Sequence, residues 1–194
     1  MTEFDALLRL NMTKGIGIRT YKALVERFGS SEAILDAPRA TLETVPGIGP
    51  KLANAIVEES RTIDIAAEIH LAKEKDVQII PYTSEQYPKH LKTIYDPPLV
   101  LYVKGNILEA DILALAIVGA RRCTYYGLSQ AERFGRLLAQ KGLCIVSGMA
   151  RGIDAAAHRG AIGSRGRTIA VLGCGLGVMY PRENIELAEQ IVQH

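Results

Sequence analysis

Apolar residues recur at three- and four-residue spacing through the first sixty positions. "FDALLRLNM", "RTYKALVERFG", "SSEAILDAP", "RATLETV" and "PKLANAIVEES" all carry this period, with Gly and Pro between them. The pattern predicts five short helices. "DIAAEIHLAKEKD" predicts a sixth, with Asp64 as its cap. The period then changes. Residues 77–80 and 99–103 read as strands, and Pro81, Pro88, Pro97 and Pro98 keep the segment between them irregular. From Leu113 the order is strand, glycine turn, helix, three times over. "LALAIVGA" reads as a buried strand and "LSQAERFGRLLAQKG" as an amphipathic helix that starts after Gly127 and ends near Gly142. "LCIVSG" and "DAAAHRGAIG" are the second pair, "RTIAVLGCG" and "ENIELAEQIVQ" the third.

Apolar strands alternating with helices predict a parallel sheet covered on both faces, a Rossmann-like α/β layer. The fold class is therefore α/β, with a small all-α domain over residues 1–66 and a junction plus Rossmann-like domain over residues 67–194. The helical part holds a two-copy repeat. "TKGIGIRTYKALVERFG" aligns with "VPGIGPKLANAIVEES", Gly15 on Gly47 and Gly17 on Gly49, at an offset of 32. The second copy resembles a helix–hairpin–helix element. Its glycines permit a sharp reversal with outward-facing amides, and a helix N-terminus follows, so a phosphate can sit at Gly47 and Gly49 beside Lys51. A hairpin that only packs is the competing explanation. The first copy is looser, with Lys14 for Pro and Tyr21 where the second has Ala53.

Charge sharpens this picture. The net charge of +2 conceals an asymmetry. Residues 1–97 hold 12 basic and 14 acidic side chains, whereas residues 121–182 hold 10 basic against only Glu132 and Asp154. Nine of those ten are Arg, which forks onto phosphates and stacks on bases. The composition predicts a phosphate-rich partner met at one face. Three widely spaced cysteines, Cys123, Cys144 and Cys174, fit neither a disulfide framework nor a zinc site, so a reduced cytoplasmic setting is expected. No apolar run approaches a membrane span, and the N-terminus lacks the signature of a signal peptide.

Three glycine turns follow the three strands, at the strand ends where an open α/β sheet binds its ligand. "AIVGARRCTYYG" is not a dinucleotide fingerprint. Its longer turn carries Arg121 and Arg122 for a phosphodiester, with Tyr125 or Tyr126 as a base-stacking candidate. In "SGMARGIDAAAH", Ser147, Gly148 and Gly152 form an expected nest of amides at a helix start, Arg151 adds charge, and Asp154 reads as the helix cap. "LGCGLGVMYPREN" adds Gly173, Gly175 and Arg182. The DNA- or phosphate-binding set is thus Gly119, Arg121, Arg122, Thr124, Gly127, Ser147, Gly148, Arg151, Gly152, Gly173, Gly175 and Arg182. A hydrolase triad of Ser147, Asp154 and His158 is rejected: no nucleophile elbow surrounds the serine. No metal or cofactor is implied.

"YPKHLKTIYDPPLVLYVKGN", "AIVGARRCTYYG", "SGMARGIDAAAHRGAI" and "TIAVLGCGLGVMYPREN" occur in an order and spacing that resembles the DprA/Smf family, the DNA-processing proteins of bacterial natural transformation. The likeness covers essentially the whole chain, and the hairpin repeat resembles the family's SAM-like N-terminal domain. The resemblance implies sequence-independent binding and protection of single-stranded DNA, loading of RecA, a homodimer and no catalytic activity. It assigns Arg121 to the DNA backbone and "SGMARGID" to phosphate. The family's sheet continues past the position matching His194, so the resemblance also implies a truncated Rossmann-like domain with an exposed edge strand and apolar surface, which puts dimerisation and RecA contact in doubt for this chain. The alternative is a nucleotide-binding or nucleotide-hydrolysing protein of the lysine-decarboxylase-like type. Its PGGxGT turn does not occur here.

Overall fold

The computed structural model describes residues Met1–His194, and the chain divides into two compact units, Met1–Val103 and Lys104–His194. The first is built from helices α1 (Glu3–Met12), α2 (Ile18–Phe28), α3 (Ser31–Asp36), α4 (Arg39–Leu42), α5 (Pro50–Val57) and α6 (Ile65–Glu74), followed by strands β1 (Val77–Pro81) and β2 (Val100–Lys104). Side chains start several of these helices. Thr2 and Asp5 form a reciprocal capping box on α1, Ser30 accepts from the Ala33 amide on α3, and Asp64 accepts from Ala67 on α6 as the sequence predicts.

The repeat is structural. Gly15 and Gly47 both take positive φ, +94° and +87°, and Gly17 and Gly49 are the N-caps of α2 and α5. A turn of that hand costs an L-residue energy, so glycine at both places fixes where each hairpin reverses. Ala53 is fully buried on α5, while its counterpart Tyr21 is buried on α2 with its hydroxyl 3.0 Å from Ser31 Oγ. Leu7, Leu8, Leu10, Leu24, Ile34, Leu42 and Ile56 fill the core around them.

The junction belongs to this unit. Sequence composition groups it with the second domain from residue 67, but Leu99 and Val100 are part of the helical core, and Ile79 and Tyr82 pack on it. Tyr87 is buried, donates to Pro98 O at 2.8 Å, and meets Tyr82 edge-on at 5.4 Å. The boundary therefore lies between Val103 and Lys104. Apolar burial decides it, and prolines in the chain do not.

The second unit holds β3 (Ala114–Ala116), α7 (Tyr125–Gln140), β4 (Cys144–Ser147), α8 (Ile153–Gly163), β5 (Thr168–Ala170) and α9 (Ile185–Gln193). The strands are parallel in the order β3-β4-β5, with Ala116 opposite Val146 and Ser147 opposite Ala170. Right-handed crossovers in one direction put α7 and α8 on the same side of the sheet. They touch backbone to backbone. A Cβ on Gly160 would stand 2.0 Å from Glu132 O, and one on Gly135 2.3 Å from Ala157 O. Helix α7 begins at Tyr125, three residues before the predicted start, because the Thr124 hydroxyl accepts from the Gly127 amide at 3.1 Å.

Strand β3 departs from expectation. "LALAIVGA" predicts burial, yet Ala114, Leu115 and Ala116 are exposed, as is Val118. The run is apolar enough for a central strand but sits at the sheet edge, so the predicted cover on both faces is incomplete there. Below it, Arg167 Nε and Nη2 fork onto Asp111 at 2.9 and 2.6 Å, and other guanidinium hydrogens reach Asn106 O and His194 O. Burial pushes the Asp111 carboxyl up, but the Arg167 fork and the Leu108 amide outweigh it and leave the pKa lowered.

Helix α8 is joined to the sheet by His158. The Thr168 hydroxyl donates to Ile145 O at 2.7 Å, so at 2.7 Å from His158 Nδ1 it can only accept. Nδ1 therefore carries a hydrogen, and the ring is fully buried with Nε2 unpartnered. Burial pushes its pKa down to about 4 against the opposing pull of Asp154 and the Ser147 backbone.

Two outcomes follow for stability. Gly160→Ala should lower the unfolding free energy by about 3 kcal/mol or more, read by urea denaturation, since neither helix backbone can yield locally. His158 takes up its proton only in the unfolded chain between its ordinary pKa near 6.5 and the folded value of about 4. Stability is thus full above pH 6.5 and should decline by up to ~3 kcal/mol as pH falls to 4. His158→Phe should flatten that segment of a thermal-midpoint profile against pH.

Candidate nucleic-acid interface

The turns beyond β3 and β4 come together around one buried carboxylate. Asp154, in the first turn of α8 and nearly inaccessible, accepts from Gly119 N at 3.2 Å, Gly148 N at 3.1 Å and Ala150 N at 3.4 Å. This corrects the expected cap. Gly152, with φ of +77°, is the N-cap of α8, and Asp154 reaches instead to the turns after β3 and β4. A side chain at Gly152 would meet Ala120 O at 2.4 Å, so the second turn presses on the first. The amides of Gly119 and Gly148 are consequently occupied by a carboxylate of the chain itself.

Ser147 is likewise committed. Its hydroxyl donates to Ile117 O at 2.6 Å and is buried, bridging β4 to the end of β3. Met149 follows in a left-handed conformation, φ +62°, which an unbranched non-glycine residue adopts only when its surroundings enforce it. Here the side chain is buried with Ala155 and Leu187, and the Met149 carbonyl accepts from Asn184 Nδ2 at 2.9 Å.

These constraints leave a cavity of about 270 Å³ lined by Arg121, Gly148, Ala150, Leu172, Gly173, Cys174 and Tyr180. Arg121 is exposed, and its guanidinium has no hydrogen bond or ion pair within the chain. Gly148 and Gly173, also named from sequence, share this cavity. Arg122 is exposed and unpaired but outside the lining. Thr124 and Gly127 bond to each other as a helix cap. Gly175 holds the third turn through its carbonyl, which accepts from Val178 N. Arg182 is exposed at the start of the short helical turn Arg182–Asn184.

Arg151 faces a partner that composition hides. Its Nε and Nη2 both donate to Glu183 at 2.9 Å, a bidentate ion pair on the surface. In unit one, Gly47 and Gly49 form their hairpin as predicted, and Lys51 is exposed just past it. Tyr125 and Tyr126 are largely exposed, whereas Tyr180, unmarked from sequence, is the aromatic ring on the cavity. Its only sequence signal is an aromatic residue inside the third glycine turn. Asp154, Glu183 and Asn184 were also missed as organisers, because each acts on residues about 30 or more positions away or on a neighbouring turn.

The comparisons agree with this architecture. Residues 78–194 match the family model "DNA recombination-mediator protein A", and residues 4–62 match a SAM-like helix–hairpin–helix tandem. The chain is 34% identical to Protein Smf of Synechocystis over 188 residues, covering 95% of this chain and 47% of that protein. It is 42% identical to DNA processing protein DprA of Bacillus subtilis over 123 residues, 63% of this chain and 41% of that one. The chain thus spans about half the length of the curated relatives it matches. The solved structure of DprA from Streptococcus pneumoniae superimposes with a TM-score of 0.74 at 30% identity, over 99% of this chain and 65% of that one. A DNA processing protein A from Helicobacter pylori, described for its single-stranded DNA binding mode, matches with a TM-score of 0.50 at 34% identity over 59% of this chain and 52% of that chain. With its Rossmann-like half under one family model, its hairpins under another and its fold shared with a solved DprA, the chain belongs to the DprA/Smf family of DNA-processing proteins.

Proposed function

We propose that this chain binds single-stranded DNA without sequence preference, through Arg121 and the cavity at the C-terminal ends of β3, β4 and β5. The observation that carries the reading is the unpaired, exposed Arg121 guanidinium on a cavity whose other polar groups are mostly backbone. Such a surface suits the repeating phosphates of a strand, and Tyr180 offers a ring for a base. The Helicobacter pylori relative, described for its single-stranded DNA binding mode, supports the same ligand class. Protection of incoming strands, loading of RecA, a homodimer and a cytoplasmic setting extend the proposal and rest on family membership; no helix is long and apolar enough to cross a membrane.

We assign no catalytic step. The three side chains that would form a hydrolase triad are engaged otherwise: Ser147 with Ile117 O, Asp154 with three amides, His158 with Thr168. The Asp154 tether also directs the strand. Because the Gly119 and Gly148 amides are occupied, phosphate recognition falls to arginine side chains and to the third turn.

Fluorescence anisotropy of labelled oligo-dT across a salt series tests this. Arg121→Ala should weaken binding about tenfold or more and reduce the salt slope by about 1. Unchanged binding removes the cavity as the site, and tighter binding of mononucleotides than of oligo-dT supports the nucleotide-binding alternative. Glu183→Gln releases Arg151 from its fork and should tighten oligo-dT binding roughly threefold, an effect that high salt removes.

A further inference from the structure

The first unit carries a second concentration of cations, on the looser copy of the repeat. Arg19 and Lys22 lie one turn apart on the exposed side of α2. The Arg19 guanidinium stands 4.1 Å from the centre of the Tyr95 ring. Lys22 Nζ and Lys92 Nζ lie 5.1 and 5.2 Å from the centre of Tyr82. Lys14 is exposed on the hairpin just before α2. None of these four cations is ion-paired, since the four ion pairs of the chain lie elsewhere. This is notable in a half of the chain that is acidic overall.

Tyr95 is the unusual member. It is 83% exposed. Tyr82 and Tyr87 of the same segment are partly or fully buried against the unit, so they cannot accept a stacked group. An aromatic ring with an arginine over it and most of its surface in water has area left to cover. A nucleobase covers it best. The base stacks on the ring, and its phosphates meet the unpaired cations alongside. An acidic peptide would use the cations but leave the ring uncovered.

We propose that Tyr95, backed by Arg19, with Lys22 and Lys92 over Tyr82 of the same segment, is a stacking platform for an unpaired nucleotide of single-stranded nucleic acid. This contact lies in the helical unit, is separate from the cavity around Arg121, and does not depend on that cavity being a DNA site.

The sequence has no tryptophan, so Tyr95→Trp places a single reporter on the platform of the full chain. Titration with oligo-dT should quench its emission by half or more, and added salt should weaken the midpoint. Tyr95→Ala should weaken oligo-dT binding about fivefold or more, with Tyr95→Phe close to the parent. Because Tyr95 is exposed, its variants should keep the parent circular dichroism and thermal midpoint. Emission that stays constant while anisotropy saturates overturns the platform. Equal quenching by duplex DNA overturns base stacking in favour of backbone contact. Arg121→Ala in the reporter chain separates the two sites. A silent reporter with binding lost through Arg121→Ala refutes the platform alone, and quenching with an oligo-dT affinity by anisotropy untouched by Arg121→Ala refutes the cavity alone. No binding by either readout refutes both.

Discussion

A single buried carboxylate organises the ligand-facing end of the second unit. An ionised group removed from water must be surrounded by donors, and Asp154 finds them in the amides of Gly119, Gly148 and Ala150. Satisfying one side chain therefore fixes the turn after β3 against the turn after β4. The arrangement resembles an anion site whose anion is built into the chain. It also explains the glycine at position 148, where a Cβ would stand 2.9 Å from an Asp154 oxygen. The Gly119 and Gly148 amides are thereby occupied, and the free donors at this end are the arginine side chains at the rim.

That tether works only because the elements behind it are rigid. Gly135 and Gly160 bring α7 and α8 into backbone contact, and the alanines of α8 allow the helix to sink into the unit. The His158–Thr168–Ile145 chain then joins α8 to β4 and β5. Ser147 ties β4 to the end of β3. Every polar side chain on the buried side of the site thus holds two elements together. The side chains left exposed at this end include Arg121 and Arg122 on the first turn and Tyr180 on the third.

Much of this was legible because it is local. The offset of 32 between Gly15 and Gly47 is enough to place two hairpins, since both glycines are there for the same φ requirement. Asp64 as a cap and the alternation of strands and helices are likewise written within a few residues. What escaped is long-range. An aspartate at the start of a helix looks the same whether it caps that helix or reaches a turn 35 residues upstream, and Asp154 does the latter. The Arg151–Glu183 fork joins residues 32 apart. The exposure of β3 depends on its place at the sheet edge, which hydrophobicity does not encode. The division at Val103 depends on where Leu99 and Val100 are buried.

The same distinction applies to charge. Nine arginines between residues 121 and 182 suggest a broad basic field. Their contacts divide them. Arg167 is bound to Asp111 and to two carbonyls, so its charge holds the base of the sheet together. Arg151 is neutralised by Glu183. Arg121 and Arg122 remain unpaired on the first turn, and only Arg121 lines the cavity. A polyanion gains from counterion release only at cations that are free to meet its phosphates. On the proposed function, binding strength depends on which arginines lack carboxylate partners, a smaller number than composition suggests. The helical half is the converse: a net acidic sequence still leaves Lys14, Arg19, Lys22 and Lys92 without ion pairs, with Arg19 over the exposed Tyr95 ring. Pairing, more than net charge, decides which cations each half leaves free.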